Sequence, residues 1–90
     1  MSRLIKCAHI QASNPKHDGT PSEIKQAMIE KHIPLIEEAG EKGVNILCLQ
    51  EIFYGPYFCC EQDTKWYATA ETVPGPTTEL LAEYAKKYNM

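Results

Sequence analysis

Residues 43–58 read GVNILCLQEIFYGPYF, and this stretch organises the rest of the chain. Its first part, Val44 to Leu49, is a short run of aliphatic and small residues, which is typical of a strand buried on both faces of a parallel sheet. Glu51 comes where that run stops, and the aromatic segment 53–58, which contains turn-forming residues, follows it. Such a segment is suited to the wall of a pocket. An acid between a buried strand and an aromatic wall suggests chemistry.

A strand and a long helix are predicted upstream of this stretch. The first strand is Leu4 to Ile10, which is short and apolar, and residues 11–19 form a loop by their turn residues. Thr20-Pro21-Ser22-Glu23 then combines a capping threonine, a proline at the first helical position and a glutamate at the third, which is a capping box. We expect the helix to end near Gly40 or Gly43. Its apolar face would comprise Ile24, Met28, Leu35, Ile36 and Ala39.

Strand, helix and strand in this order form a βαβ unit. We therefore expect two parallel strands joined by a right-handed crossover. Pro34 lies inside the helix, and because the apolar spacing resumes in register beyond it, we predict a kink rather than a break. Ligands gather at the carboxyl ends of the strands in such sheets. Glu51 lies at that end.

Two further helical segments are predicted downstream of the aromatic segment. Residues 61–71 carry one tryptophan and several small residues among polar ones, which indicates a short helix. The segment Thr72-Val73-Pro74-Gly75-Pro76 interrupts the chain, and Pro76 can occupy the first position of a last helix, Thr77 to about Tyr88. Its apolar face would comprise Leu80, Leu81, Tyr84, Ala85 and Tyr88. The pattern indicates a single α/β unit without an internal domain boundary.

Composition excludes several functional classes. Ninety residues with 43% hydrophobic content are enough for one compact domain. The net charge is −3, and the nine basic residues form no cluster, so neither a nucleic-acid nor a membrane partner is expected. No segment approaches the roughly 20 apolar residues of a membrane span, and the start lacks the apolar run of a signal peptide. We expect a cytoplasmic protein with a small-molecule or protein partner.

The four cysteines show neither a Cys-x-x-Cys pair nor the spacing of a zinc site, so free thiols and no metal are predicted. Cys7 and Cys48 lie inside the apolar strand segments, where cysteine usually behaves as a small hydrophobe. Cys59 and Cys60 follow the aromatic segment and are the better candidates for exposed thiols. A nucleophilic role for either needs an activating environment.

Glu51 is the best candidate for chemistry in the chain. A carboxylate at a strand end beside aromatic residues is suited to general-base work, and a structural role, such as pairing with a lysine, is the alternative. His9 in a strand and His32 in a helix are interpreted as satisfied structural histidines, and His17 lies in a polar loop without a partner in the sequence. No phosphate-binding glycine loop and no serine elbow occurs.

Two segments together carry a family resemblance. GVNILCLQEIFYGPYFC at 43–59, followed by VPGPTTELL at 73–81, resembles the amino-terminal part of a nitrilase-superfamily carbon–nitrogen hydrolase. It is most similar to the β-ureidopropionase and N-carbamoylputrescine amidase branches. The opening strand, the long helix and the closing helix fall in the family's order. The resemblance implies that residues 1–90 are the amino-terminal part of one incomplete domain, the βαβ-plus-helix portion of a four-layer α-β-β-α sandwich.

The resemblance also implies a catalytic set of glutamate, lysine and cysteine, without a cofactor. Glu51 matches the family's glutamate, the implied general base, and Tyr57 matches a pocket tyrosine, for which plain packing is the alternative. The implied substrate is an N-carbamoyl amine, such as N-carbamoyl-β-alanine or N-carbamoylputrescine. The family's lysine and cysteine lie beyond Met90, and four residues of this chain do not match them: Lys65, Lys86, Cys59 and Cys60. We therefore expect the isolated chain to be inactive. The resemblance further implies that the full-length protein is a homo-oligomer.

Two other interpretations stay open. The chain could be a truncated, non-catalytic α/β fragment that at most binds a partner through exposed surfaces, since an isolated piece leaves sheet edges uncovered. A thiol redox module based on Cys59 and Cys60 lacks the Cys-x-x-Cys geometry and ranks last.

Overall fold

Two parallel strands and two α-helices form the framework of the protein. The computed structural model describes residues 3–90. In chain order its elements are strand β1 (Cys7–His9), helix α1 (Pro21–Glu41), strand β2 (Ile46–Cys48), two short 3-10 helices (Phe58–Cys60 and Thr64–Thr69) and helix α2 (Pro76–Tyr88). The architecture is therefore a small α/β unit, as the alternation of strand and helix patterns predicts.

The two strands pair in parallel, which confirms the predicted βαβ unit. Ala8 lies opposite Leu47 in the register, and the flanking pairs are Cys7 with Ile46 and His9 with Cys48. Each strand has three residues, so both are shorter than the runs 4–10 and 44–49 that the apolar pattern indicates. Hydrogen bonds continue the ladder beyond both ends of the strands, from the Ile10 amide to the Cys48 carbonyl at 2.9 Å and from the Asn45 amide to the Lys6 carbonyl at 2.8 Å.

In the part of the chain that the structure describes, one face of β2 is exposed, so the prediction that β2 is buried on both faces is wrong. Ile46 is 58% exposed, and Cys7 and Cys48 are exposed as well. Ala8 and Leu47 point to the opposite face, where α1 and α2 lie. Because both helices cover the same face of the sheet, side chains of the other face contact solvent. Cys7 and Cys48 are therefore not the small buried hydrophobes that their apolar neighbours in sequence suggest.

Helix α1 begins with the predicted capping box. The Thr20 hydroxyl accepts a hydrogen bond from the Glu23 amide at 3.1 Å, and the Glu23 carboxylate accepts one from the Thr20 amide at 3.4 Å. These contacts satisfy two amides that the first turn of a helix leaves free. The helix runs through Pro34 without a break and ends at Glu41. Gly43, with φ at +74°, then reverses the chain in a conformation that favours glycine.

The core lies between α1 and the rest of the chain. Its buried residues on α1 share one face and are Ile24, Met28, His32, Ile36 and Ala39, whereas the predicted core residue Leu35 is only half-buried. Helix α2 begins at Pro76, as predicted, and packs on α1. A Cβ atom added to Gly40 on α1 would overlap the ring of Tyr88 on α2. Glycine at position 40 therefore sets how near the two helices come.

The segment between the aromatic residues and α2 is less regular than predicted. Instead of one short helix over 61–71, it contains the 3-10 helix Thr64–Thr69. The Asp63 carboxylate caps this element by accepting from the Lys65 amide at 2.8 Å. The Trp66 indole donates to the Glu61 carboxylate at 3.1 Å, which folds the segment onto itself.

Candidate functional site

The carboxyl ends of the two strands lie at one edge of the sheet, and the chain segments that leave it are tied together. The amide of Ala12, which follows β1, donates a hydrogen bond of 2.6 Å to the side-chain carbonyl of Gln50, which follows β2. Gln50 directly precedes Glu51 in the sequence. The backbone on the amino-terminal side of Glu51 is therefore held by a contact across the sheet edge.

Glu51 and Tyr57 both lie on the surface. Glu51 occupies a turn that begins three residues after the end of β2, and its side chain is exposed rather than covered by the aromatic segment. Tyr57 is 66% exposed. Within residues 3–90, the aromatic segment therefore does not desolvate the carboxylate, although it follows Glu51 immediately in sequence.

Ile52 and Phe53 turn the chain sharply after Glu51. Ile52 has φ at +54°, the left-handed region, which is a rare conformation for a β-branched residue and costs about 1–2 kcal/mol relative to ordinary backbone. The ring of Phe53 then meets the ring of His32 on α1 edge-on, with centroids 5.5 Å apart and planes at 72°. The turn that carries Glu51 is thus anchored on the core face of α1.

His32 is buried, with 1% of its surface exposed. Its Nδ1 lies 2.7 Å from the Met28 carbonyl oxygen, and since a carbonyl only accepts, Nδ1 carries the proton. Its Nε2 has no hydrogen-bond partner among residues 3–90. The prediction of a satisfied structural histidine is therefore confirmed for one ring nitrogen and wrong for the other.

A second anchor joins Tyr54 to the amino-terminal half of α1. The Lys25 ammonium lies 5.3 Å from the centroid of the Tyr54 ring, a distance suited to a cation–π contact. The same ammonium lies 2.8 Å from the Glu71 carboxylate. Lys25 therefore connects the segment that follows Glu51 with the segment that precedes α2.

The Glu71 carboxylate lies at the amino-terminal end of α2. Its Oε1 accepts from the Thr77 amide at 3.0 Å, and the Thr77 hydroxyl lies within 2.8 Å of both carboxylate oxygens. Burial by itself would raise the pKa of Glu71, but the hydrogen bonds from Lys25 and Thr77 outweigh it and hold this pKa below its ordinary value. Glu71 thus stabilises the start of α2 as an ionised group.

A cavity of about 420 Å³ lies between the start of α1 and the segment 52–71. Its walls are mainly aromatic and apolar, and its lining includes Ile52, Tyr54, Pro56, Phe58 and Trp66 together with Lys25 and Glu71. The volume falls within the range of small-molecule sites. Glu51 and Tyr57 do not line it, and the two charged groups in its wall are paired with each other.

The spacing of residues in the sequence does not predict the network that Lys25, Glu71 and Thr77 form. Lys25 and Glu71 are 46 positions apart, so no helical or strand spacing connects them. The one local signal is an acid six residues before Thr77, at the start of a helix whose first position is proline. Such a position favours a carboxylate that accepts from the free amides of the first turn.

Two kinds of feature are absent from the part of the chain that the structure describes. No group of three or more histidine, cysteine, aspartate or glutamate side chains is placed to hold a metal ion. No helix within 3–90 is both long and apolar enough to cross a membrane. All four cysteines are free thiols and exposed.

The chain matches one protein family over almost all of its length. Residues 6–90 match the carbon–nitrogen hydrolase family, which includes β1, both helices, β2 and Glu51. No solved structure matches the chain.

Curated relatives point the same way. The β-ureidopropionase of Arabidopsis thaliana is 40% identical over 89 residues, which are 98% of this chain and 22% of the relative. The omega-amidase NIT2-B of Xenopus laevis is 40% identical over 67 residues, 73% of this chain and 22% of the relative. The N-carbamoylputrescine amidase of Solanum lycopersicum is 39% identical over 54 residues, 59% of this chain and 18% of the relative. The chain thus spans about a fifth of the length of these relatives, and it belongs to the carbon–nitrogen hydrolase family.

Proposed function

We propose that this chain supplies the general base of an amidohydrolase that cleaves the carbamoyl C–N bond of an N-carbamoyl amine. The observation that carries this proposal is the place of Glu51. It follows β2 at the carboxyl edge of a parallel sheet, where α/β proteins bind their ligands, inside a segment that matches the carbon–nitrogen hydrolase family. Its exposure leaves the carboxylate accessible to a reacting group.

The proposed reaction divides hydrolysis into two steps through a cysteine nucleophile. Glu51 takes the thiol proton, the thiolate attacks the carbamoyl carbon, and the C–N bond to the amine breaks as the amine takes up that proton. Water then cleaves the S-carbamoyl intermediate, with Glu51 accepting a proton from the water and returning one to the departing thiolate, which regenerates the thiol. The released carbamate decomposes to ammonia and carbon dioxide, so both nitrogens that were bonded to the carbamoyl carbon are freed.

A lysine and a cysteine complete the proposed catalytic set. The lysine would stabilise the oxyanion that develops on the carbamoyl oxygen. Neither group is assigned within this chain, because Lys65, Lys86, Cys59 and Cys60 do not match the family's positions. Tyr57, which is 66% exposed, is proposed as a contact to substrate.

The exposed face of the sheet supports the finer architecture. We place β1 and β2 in one sheet of an α-β-β-α sandwich, where a second sheet would cover the side chains of Cys7, Ile46 and Cys48. Ile46 is 58% exposed, and burying such an aliphatic side chain contributes about 1.5 kcal/mol or more to stability. In residues 3–90, helices cover only the opposite face of the sheet. One helical layer on one face of a sheet is the arrangement of an outer half of such a sandwich.

The N-carbamoyl class is favoured over a terminal-amide substrate by the extent of the β-ureidopropionase match. That relative matches over 98% of this chain, whereas the omega-amidase relative matches over 73% and the N-carbamoylputrescine amidase relative over 59%. Both kinds of substrate release ammonia, so one assay compares them directly.

A chimera tests the proposal without requiring activity from 90 residues alone. In it, this chain replaces the segment that it matches in the Arabidopsis thaliana β-ureidopropionase. We expect the chimera to release ammonia from N-carbamoyl-β-alanine or N-carbamoylputrescine faster than from a terminal amide, and the isolated chain to release none. A folded chimera that is inactive on both N-carbamoyl amines would contradict the proposal.

A further inference from the structure

We infer that contacts to α1 position Glu51. Phe53 packs against His32 on α1 and so holds Ile52 in its left-handed conformation. This conformation fixes the direction in which the segment that carries Glu51 leaves β2. The inference rests on the proposed function of Glu51 and adds two positioning residues to it, His32 and Phe53. Neither of them would touch the substrate.

The backbone around Glu51 is held on both sides. On its amino-terminal side, Gln50 accepts a 2.6 Å hydrogen bond from the Ala12 amide. On its carboxyl-terminal side, Phe53 meets His32 edge-on at 5.5 Å. Glu51 and Ile52 are therefore the only residues between two fixed points, and their backbone has little freedom to reorient.

Between those two points, the backbone of Ile52 adopts an unfavourable conformation. A β-branched residue avoids positive φ because its Cβ crowds the neighbouring carbonyl, yet Ile52 has φ at +54°. Ile52 is 37% exposed, so burial of its own side chain does not explain this backbone. Strained conformations persist where the surroundings determine them, and here the surroundings are the anchors at Gln50 and Phe53.

The His32 ring, against which Phe53 packs, is held in a fixed orientation. The Nδ1–H of His32 donates to the Met28 carbonyl at 2.7 Å, which fixes the rotation of the imidazole ring. The ring is 1% exposed, and its Nε2 is buried without a partner among the described residues. The oriented ring meets Phe53 edge-on, a favourable aromatic geometry.

A further contact extends the anchor along α1. The Phe53 ring meets the Tyr54 ring at 5.4 Å and 78°, and Lys25 lies over the Tyr54 ring at 5.3 Å. Two successive aromatic residues after Ile52 are thus fixed to two positions on α1, seven residues apart in sequence.

Backbone dynamics in the 90-residue chain test the inference directly. We expect Phe53→Ala and His32→Ala to lower the ¹⁵N order parameters of residues 51 and 52 from about 0.85, typical of rigid backbone, to below about 0.6. His32→Phe keeps an aromatic ring beside Phe53 and should lower these order parameters less. Val44→Ala is the matched control, because Val44 is 5% exposed but lies on the part of the core that faces Leu35 and Leu47. It should lower the unfolding temperature without changing residues 51 and 52.

A second pair of variants avoids the core altogether. Proline at position 52 cannot adopt a positive φ, whereas glycine adopts it readily. We expect Ile52→Pro to lower kcat of the chimera roughly ten- to a hundredfold, the scale of a misplaced catalytic group, with KM little changed. Ile52→Gly should stay near the parent value.

The outcomes separate this inference from the proposed function. If Glu51→Gln abolishes turnover of the chimera while Ile52→Pro, Phe53→Ala and His32→Ala leave kcat and the order parameters unchanged, the positioning role is wrong and the function stands. If Glu51→Gln retains turnover, the proposed base is wrong, and the order parameters still decide whether α1 holds the turn.

Discussion

Lys25 and Glu71 lie 46 positions apart in sequence and form an ion pair of 2.8 Å that joins α1 to the start of α2. Their side chains are 28% and 16% exposed, so water screens the pair less than it screens an ordinary surface salt bridge. Glu71 also accepts from Thr77, and Lys25 also lies over Tyr54. The pair therefore holds three segments of the chain together around the 420 Å³ cavity.

Loss of the Glu71 charge should destabilise the fold. Glu71→Gln leaves Lys25 partly buried without its counter-ion and weakens the contacts to Thr77, and we expect a cost of about 1–3 kcal/mol. For a domain of this size, each kcal/mol lowers the unfolding temperature by about 4–8 °C. Thermal unfolding followed by circular dichroism measures the shift. Glu83→Gln, on an exposed position of α2, is the control. Equal unfolding temperatures of the two variants would contradict the account.

The same carboxylate makes stability depend on pH in the acid range. The pKa of Glu71 is lowered in the folded chain from its ordinary 4.5. Its contribution is therefore fully present above that ordinary value and is lost as the pH falls through the lowered one. We expect the difference in unfolding free energy between the wild type and Glu71→Gln to be constant at neutral pH and to shrink on acidification below about pH 4.5. A difference that grows on acidification would show that the pKa is raised instead.

Alanine at position 40 should destabilise the protein although alanine favours helix. Gly40→Ala gains up to about 1 kcal/mol of helix propensity, but the new Cβ would overlap the ring of Tyr88, and overpacking costs about 1–3 kcal/mol. Urea unfolding gives the net effect. Gly55→Ala is the matched control, because a Cβ there meets nothing within 4 Å. A Gly40→Ala variant more stable than the wild type would mean that α1 and α2 are not in close contact at this point.

All four thiols should react in the native protein. Cys7, Cys48, Cys59 and Cys60 are free and exposed, so a thiol-specific reagent such as DTNB should titrate all of them without denaturant. If Cys7 and Cys48 react only after unfolding, that face of the sheet is covered in solution. Mass spectrometry of the labelled peptides distinguishes the two pairs.

Features that depend on neighbours in sequence follow from the sequence itself. The capping box at Thr20 and Glu23, the start of α2 at Pro76 and the end of α1 between Gly40 and Gly43 each depend on a few adjacent residues, because helix termini are satisfied locally. The parallel pairing of the strands follows from the length of the connection between them.

Features that depend on distant packing do not follow in the same way. Val44 to Leu49 is apolar except for Asn45, yet Ile46 is exposed because both helices cover the opposite face of the sheet. The contact between Phe53 and His32 joins residues whose proximity depends on how α1 lies against β2. The position of Glu51 at the sheet edge follows from the βαβ order, whereas its exposure depends on how the aromatic segment folds away from it.

Ammonia release by the chimera carrying Glu51→Gln tests most directly whether Glu51 is the base of a carbon–nitrogen hydrolase. Glutamine keeps the size of the side chain but removes its basicity. We expect turnover of N-carbamoyl-β-alanine and N-carbamoylputrescine to fall by roughly a hundredfold or more, the scale of general acid–base catalysis, with an unchanged unfolding temperature. Glu41→Gln, at the exposed end of α1, should turn over at the parent rate. Parent-level turnover by the Glu51→Gln chimera would contradict the claim.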